Sequence, residues 1–233
     1  MSSTAGLETA FERMAEAVAQ SLTAGDLLGL GSGSAVAKFA RAFGQRIRSE
    51  SIRIEVIPSS MQSFLLAREN GLELARDSAR CPESIDVVVD GADQISLSPR
   101  SMIKGGGGAL LKEKILISAS KKTFILADHT KFVKMLNRSV PVEVTQFSYL
   151  RAEAEIRRKF GADPVLRRLD KGYPYYSESG NIILDCQFKE EISAARDMER
   201  ELKMIPGVVE CGIFNEEVER FYRANQDGSF DTL

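Results

Sequence analysis

Apolar residues at Phe11, Met14, Ala15, Val18 and Leu22 follow the three-and-four spacing of one helix face, and Gly25 reads as its terminator. A short apolar run, Leu27–Leu30, predicts a strand leading into Gly31-Ser32-Gly33-Ser34. A second helix is predicted from Ser34 through Val36, Phe39 and Ala40 to Gly44. The β-branched segment 52–57 reads as a strand. After Ser59 and Ser60 comes a helical stretch with Phe64, Leu65 and Leu66, stopping near Gly71. Residues 85–89 are continuously apolar, as expected of a strand covered on both faces. A helix over 109–120 and a buried strand over 123–127 complete an alternation that predicts a doubly wound α/β domain.

The pattern changes after Leu136. It predicts a strand at 141–144, a helix at 149–160 stopped by Gly161, and strands at 164–169 and 181–187 separated by Ser177-Glu178-Ser179-Gly180. A helix at 192–204 and a strand at 208–214 follow. The order β-α-β-β-α-β is the split, ferredoxin-like α+β arrangement. Two domains are therefore expected: residues 1–136 plus 215–233, and a smaller one at 137–214.

Composition narrows the chemistry. The 233 residues carry 31 Lys+Arg against 33 Asp+Glu, a net charge of -2, which is no footprint for nucleic acid. No apolar run approaches the ~20 residues of a membrane span, and the N-terminus lacks the basic and apolar regions of a secretory signal. Cys81, Cys186 and Cys211 lie far apart and read as reduced, mostly buried thiols. One histidine, His129, rules against a His/Cys zinc site, and it is not expected to be catalytic. The chemistry is left to carboxylates, lysines, hydroxyls and backbone amides.

Such groups gather where predicted strands end. Gly29 to Ser34 places small residues before a helix whose free N–H groups suit an anion; its plainer role is a tight turn. Asp90-Gly91-Ala92-Asp93 sets two carboxylates at a strand end, an acid–base pair or a capped turn. Lys104-Gly105-Gly106-Gly107-Gly108 feeds the 109–120 helix and forms a nest of N–H donors suited to an oxyanion or a phosphate. On that helix Glu113 has Ala109, Leu110, Leu116 and Ile117 as neighbours. A carboxylate on an apolar face makes a proton-transfer base if it is buried. Lys112 and Lys114 are expected in solvent. Lys131, past the last apolar strand, could meet an anion or simply lie on the surface.

These stretches together resemble ribose-5-phosphate isomerase of the A type. The matching segments are GLGSGSA (29–35), VDGADQI (89–95), MIKGGGGALLKEKI (102–115), ADHTKFV (127–133), PVEV (141–144), GNIILD (180–185) and IPGVVECGIF (205–214). The resemblance implies a Rossmann-like domain with a ferredoxin-like lid, in a cytoplasmic homodimer or homotetramer without metal or cofactor. It implies interconversion of ribose 5-phosphate and ribulose 5-phosphate through an enediolate. Glu113 would move the proton, Asp90 would assist ring opening with Asp93 beside it, and Lys104 with the amides of Gly105, Gly106 and Gly107 would stabilise the oxyanion. Ser32, Gly33, Ser34 and Lys131 would hold the phosphate, and Ala35, Gly91 and Ala92 would also bind the substrate.

Three departures accompany it. Ala35 lacks a hydroxyl, Gln94 replaces an acid, and Phe11 stands where many bacterial members carry a lysine; Arg13 or Lys38 could compensate for the last. Two other readings compete: a sugar-phosphate sensor or pseudoenzyme on the same fold, and an acyl-transfer enzyme with Glu113 as nucleophile. The intact set Asp90, Asp93, Lys104 and Glu113 favours the isomerase.

Overall fold

The computed structural model describes residues 3–233. Its helices are α1 (Ser3–Ser21), α2 (Ser34–Glu50), α3 (Met61–Glu69), α4 (Leu110–Ser118), α5 (Tyr149–Phe160) and α6 (Ala195–Lys203). The chain forms two compact units. One holds the residues up to Gly91, Glu113–Lys131 and Glu217–Leu233; the other holds Ala92–Lys112 and Phe132–Glu216. Relative to the division expected from the pattern, the second unit also takes in Ala92–Lys112.

The first unit is a seven-stranded sheet in the order Phe230–Thr232, Arg220–Ala224, Ser120–Asp128, Ile85–Gly91, Leu27–Leu30, Glu55–Pro58, Glu73–Leu74. All neighbours run parallel except the pair Arg220–Ala224 and Phe230–Thr232. The chain starts at Leu27–Leu30, builds outward on one side, then returns to lay Ile85–Gly91 on the other. The strand order reverses between those two strands, and ligands of open α/β sheets sit at the carboxyl ends of such a switch point. Leu28, Leu30, Val87, Val89, Phe124 and Leu126 are buried in one core with Met14, Val18, Val36 and Phe39 of α1 and α2. The alternate positions Val88 and Ile125 are buried too, so these strands are apolar on both faces.

Two expectations change here. Helix α2 runs through Gly44 to Glu50, because Gly44 is itself buried and the apolar face continues to Ile47. One glycine costs a helix only about 1 kcal/mol, too little to stop it when packing continues. The strand expected to end at Val89 extends through Asp90 and Gly91, which pair with Ile125 and Leu126. Asp90 therefore lies on the sheet rather than in a turn.

The second unit contains the sheet Asp163–Leu166, Ile182–Gln187, Val140–Val144, Val208–Cys211, antiparallel throughout. With α5 and α6 this is the expected β-α-β-β-α-β order. Val142, Val144, Ile156, Leu184 and Leu202 lie in its core. A further sheet joins Ile213–Phe214, Arg100–Ile103, Gln94–Leu97 and Phe132–Val133. The strand expected over 208–214 is thus broken: Cys211 pairs with Val142, whereas Ile213 pairs with Ile103. One segment serves both sheets. Cys186 and Cys211 are buried as expected, and Cys81 is exposed.

Candidate active site

In the first unit, three chain segments converge at the switch point. Gly31 follows the strand Leu27–Leu30, and its N–H donates to the Val89 carbonyl at 2.9 Å. The two strand ends are held so close that a Cβ on Gly31 would overlap the Asp90 carboxylate. Asp90 has no exposed surface, and its Oδ1 accepts from the N–H groups of Gly91 at 2.7 Å and Ser32 at 3.2 Å. The Ser32 hydroxyl donates to Glu113 Oε1 at 2.6 Å. Glu113 is 3% exposed, and its helical neighbours Ala109, Leu110, Leu116 and Ile117 are all buried. The buried carboxylate expected on α4 is present, and the short hydrogen bond from Ser32 aims it. Of its flanking lysines, Lys112 is exposed as expected, but Lys114 is only 5% exposed. Its burial follows from its place beside the packed face of α4.

Helix α2 opens beside this cluster. Its N-cap, Gly33, has φ 92° and carries no side-chain cap, and its N–H donates to Gln62 Oε1 at 2.9 Å. The N–H groups of Ser34, Ala35 and Val36 precede the first helical bond, from the Ala37 N–H to the Gly33 carbonyl, and such a terminus attracts anions. Ser34 is exposed, while the Ala35 methyl belongs to the core. Any contact of Ala35 with a ligand therefore runs through its N–H, so the hydroxyl it lacks leaves the helix terminus intact. Lys131 closes a 3-10 turn, His129–Lys131, after the strand Ser120–Asp128. It is half-buried and forms no ion pair among the described residues. Phe11 is buried, with the Lys38 ammonium 5.7 Å from its ring centroid and paired to Glu8, while Arg13 donates to the Gly228 carbonyl.

In the second unit, Asp93 is half-buried, and its Oδ2 accepts from the Gly106 N–H at 2.8 Å. Lys104 is 3% exposed, its ammonium 5.5 Å from the Phe214 ring centroid. The loop Gly105 to Gly108 runs from there into α4. Gln94 is structural: it donates to Asn137 Oδ1 at 2.7 Å and accepts from the N–H groups of Asn137 and Arg138. An acid cannot make that donation. Sequence reasoning missed Arg167 and Tyr175, which hold the glycine loop, and Asp185, which holds Arg167. Arg167 is followed by a second arginine and Tyr175 lies among other tyrosines, so nothing in the pattern singles them out. Among the described residues no cluster of His, Cys, Asp and Glu suits a metal ion.

A doubly wound sheet with a buried carboxylate and an uncapped helix terminus at its switch point defines a class of α/β enzymes acting on small anionic substrates. The chain belongs to a particular family within it: residues 55–228 match the model of ribose 5-phosphate isomerase A (phosphoriboisomerase A). Ribose-5-phosphate isomerase A of Archaeoglobus fulgidus is 42% identical over 197 residues, 83% of this chain and 85% of that protein. The ribose 5-phosphate isomerase A structure from Methanocaldococcus jannaschii superposes with a TM-score of 0.87 at 31% identity, covering 96% of this chain and 97% of that one. A D-ribose-5-phosphate isomerase in complex with phospho-erythronic acid matches with the same TM-score at 32% identity, covering 96% and 97%.

Proposed function

We propose that this chain interconverts D-ribose 5-phosphate and D-ribulose 5-phosphate through an enediolate, with Glu113 carrying the proton between C2 and C1. The observation that supports this best is the burial of Glu113 with a hydrogen bond from the Ser32 hydroxyl that aims it. A carboxylate kept from water and fixed in orientation is suited to take a proton from carbon and return it to the neighbouring carbon. Asp90, buried and held by two N–H groups, is assigned the opening of the furanose ring, with Asp93 assisting. Lys104 and the amides of Gly105, Gly106 and Gly107 are assigned the oxyanion; Gly91 and Ala92 line the sugar. Ser32, Gly33, Ser34, the Ala35 N–H and Lys131 are assigned the phosphate, by the anion affinity of the α2 terminus and the free ammonium of Lys131.

No cofactor or metal is part of the proposal, because the residues named supply a base, a cation and fixed donors. We also place the protein in the cytoplasm as a homodimer or homotetramer. The exposed apolar side chains Phe147, Leu150 and Met204 of the second unit support self-association, and light scattering of the purified protein tests it. The reaction is tested by incubating the protein with ribose 5-phosphate in deuterated water and following ketose by NMR. Ribulose 5-phosphate is expected, with some solvent deuterium at C1 or C2. No ketose at high protein concentration overturns the reading. Glu113→Gln is expected to lower turnover by at least about 10²-fold.

A further inference from the structure

Every carbonyl of the glycine loop is held from the same hairpin. Gly105 O and Gly106 O accept from the Arg167 guanidinium at 2.8 and 3.1 Å, and Gly107 O from the Tyr175 hydroxyl at 2.8 Å. Gly108 O accepts from the Glu178 N–H at 3.0 Å. The guanidinium is itself fixed, because Asp185 takes its Nε and its second terminal nitrogen, and it sits 5.8 Å from the Tyr175 ring centroid. Just past Tyr175, the Ser177 hydroxyl and the Asn181 amide donate to Glu143, which is fully buried.

The peptide plane converts this hold into an aim. Carbonyl and N–H of one trans peptide point in opposite directions, and the plane is rigid. Fixing Gly105 O aims the Gly106 N–H, which donates to Asp93. Fixing Gly107 O aims the Gly108 N–H, which donates to Gly105 O at 3.0 Å. Fixing Gly106 O aims the Gly107 N–H, which donates to nothing among the described residues. Gly106 and Gly107 are exposed, so water could serve their carbonyls without an arginine or a tyrosine. At Gly106 and Gly107 the clamp therefore orders the loop rather than rescuing buried polar groups, and four glycines lose more freedom on ordering than any other residues.

We propose that Arg167 and Tyr175 are positioning residues that order the glycine loop and aim the Gly107 N–H as a donor to the oxyanion of the reacting sugar. The inference rests on the isomerase reading, and its test separates the two. Tyr175→Phe removes one hydroxyl, and Arg167→Lys keeps the charge but loses the planar fork that spans two carbonyls and Asp185. Tyr175→Phe is expected to lower kcat about tenfold, as misplaced donors do, with KM within about twofold of wild type and an unchanged melting temperature. Arg167→Lys is expected to lower kcat further, again with little change in KM. In both, hydrogen exchange at the Gly106 and Gly108 amides should rise about tenfold while the amides of α5 keep wild-type rates. A kcat within twofold of wild type in both variants overturns the proposal, and so does unchanged loop exchange. If the wild-type protein forms no ketose, the isomerase reading falls with the oxyanion role, while the exchange rates still judge the clamp.

Discussion

The Ser32 hydroxyl lies 2.6 Å from Glu113 Oε1, joining residues 81 positions apart in the chain. One comes from the turn after a strand and the other from a helix face, and the bond aims a carboxylate that is almost wholly out of water. A hydrogen bond to a charged group contributes about 1.5–3 kcal/mol. Ser32→Ala is therefore expected to lower kcat/KM by about 10–100-fold, read by steady-state conversion of ribose 5-phosphate. Wild-type kinetics in that variant would show that the bond does not orient the proposed base.

Gly31 is expected to tolerate no side chain. A Cβ there would overlap the Asp90 carboxylate, which is buried and tied to two N–H groups, so neither group can retreat cheaply. Gly31→Ala should lose about 1–3 kcal/mol of stability through overpacking, together with most activity. Urea denaturation and the isomerase assay check both.

Gln94→Glu is expected to destabilise this chain. The glutamine amide donates to Asn137 Oδ1 at 2.7 Å, and a carboxylate would face that oxygen without a proton. The expected loss is about 1–3 kcal/mol, measured by chemical denaturation. A gain in stability would show that Asn137 flips its amide to suit the acid.

The Asp86 carboxyl is held below the usual carboxylate range, first by its hydrogen bond from Lys121 and then by the Leu27 N–H. The sign follows from linkage. A depressed folded pKa stabilises above the ordinary carboxyl value near ~4, and the contribution is lost as pH falls through the folded pKa. The pair is largely solvated, Lys121 being 64% exposed, so its contribution is screened. Asp86→Asn is expected to cost less than about 1 kcal/mol at pH 7 and nothing at about pH 2. Urea melts at the two pH values check it; an equal cost at both would point to packing instead.

Much of the site was legible because its residues sit where the pattern changes period. Glu113 announced itself as one acid among apolar helical neighbours, and Ser32 and Asp90 as polar residues directly after apolar strands. Arg167 and Tyr175 were not legible, since their partners lie 61 and 68 residues away in the chain. The segment 208–214 misled for a related reason. Its apolar character suits either sheet, and local pattern carries no record of which partner each half will take.

By itself the sequence determined the alternation of strands and helices and the residue types available for chemistry, because periodicity and turn residues act over a few neighbours. Tertiary structure alone decided that Asp90 lies on the sheet, that Lys114 is buried, that Gln94 serves as a strut, and that the glycine loop is held from its carbonyl side. Each depends on which distant backbone atom arrives within hydrogen-bonding distance. That is set by packing within each unit, and local composition does not encode it.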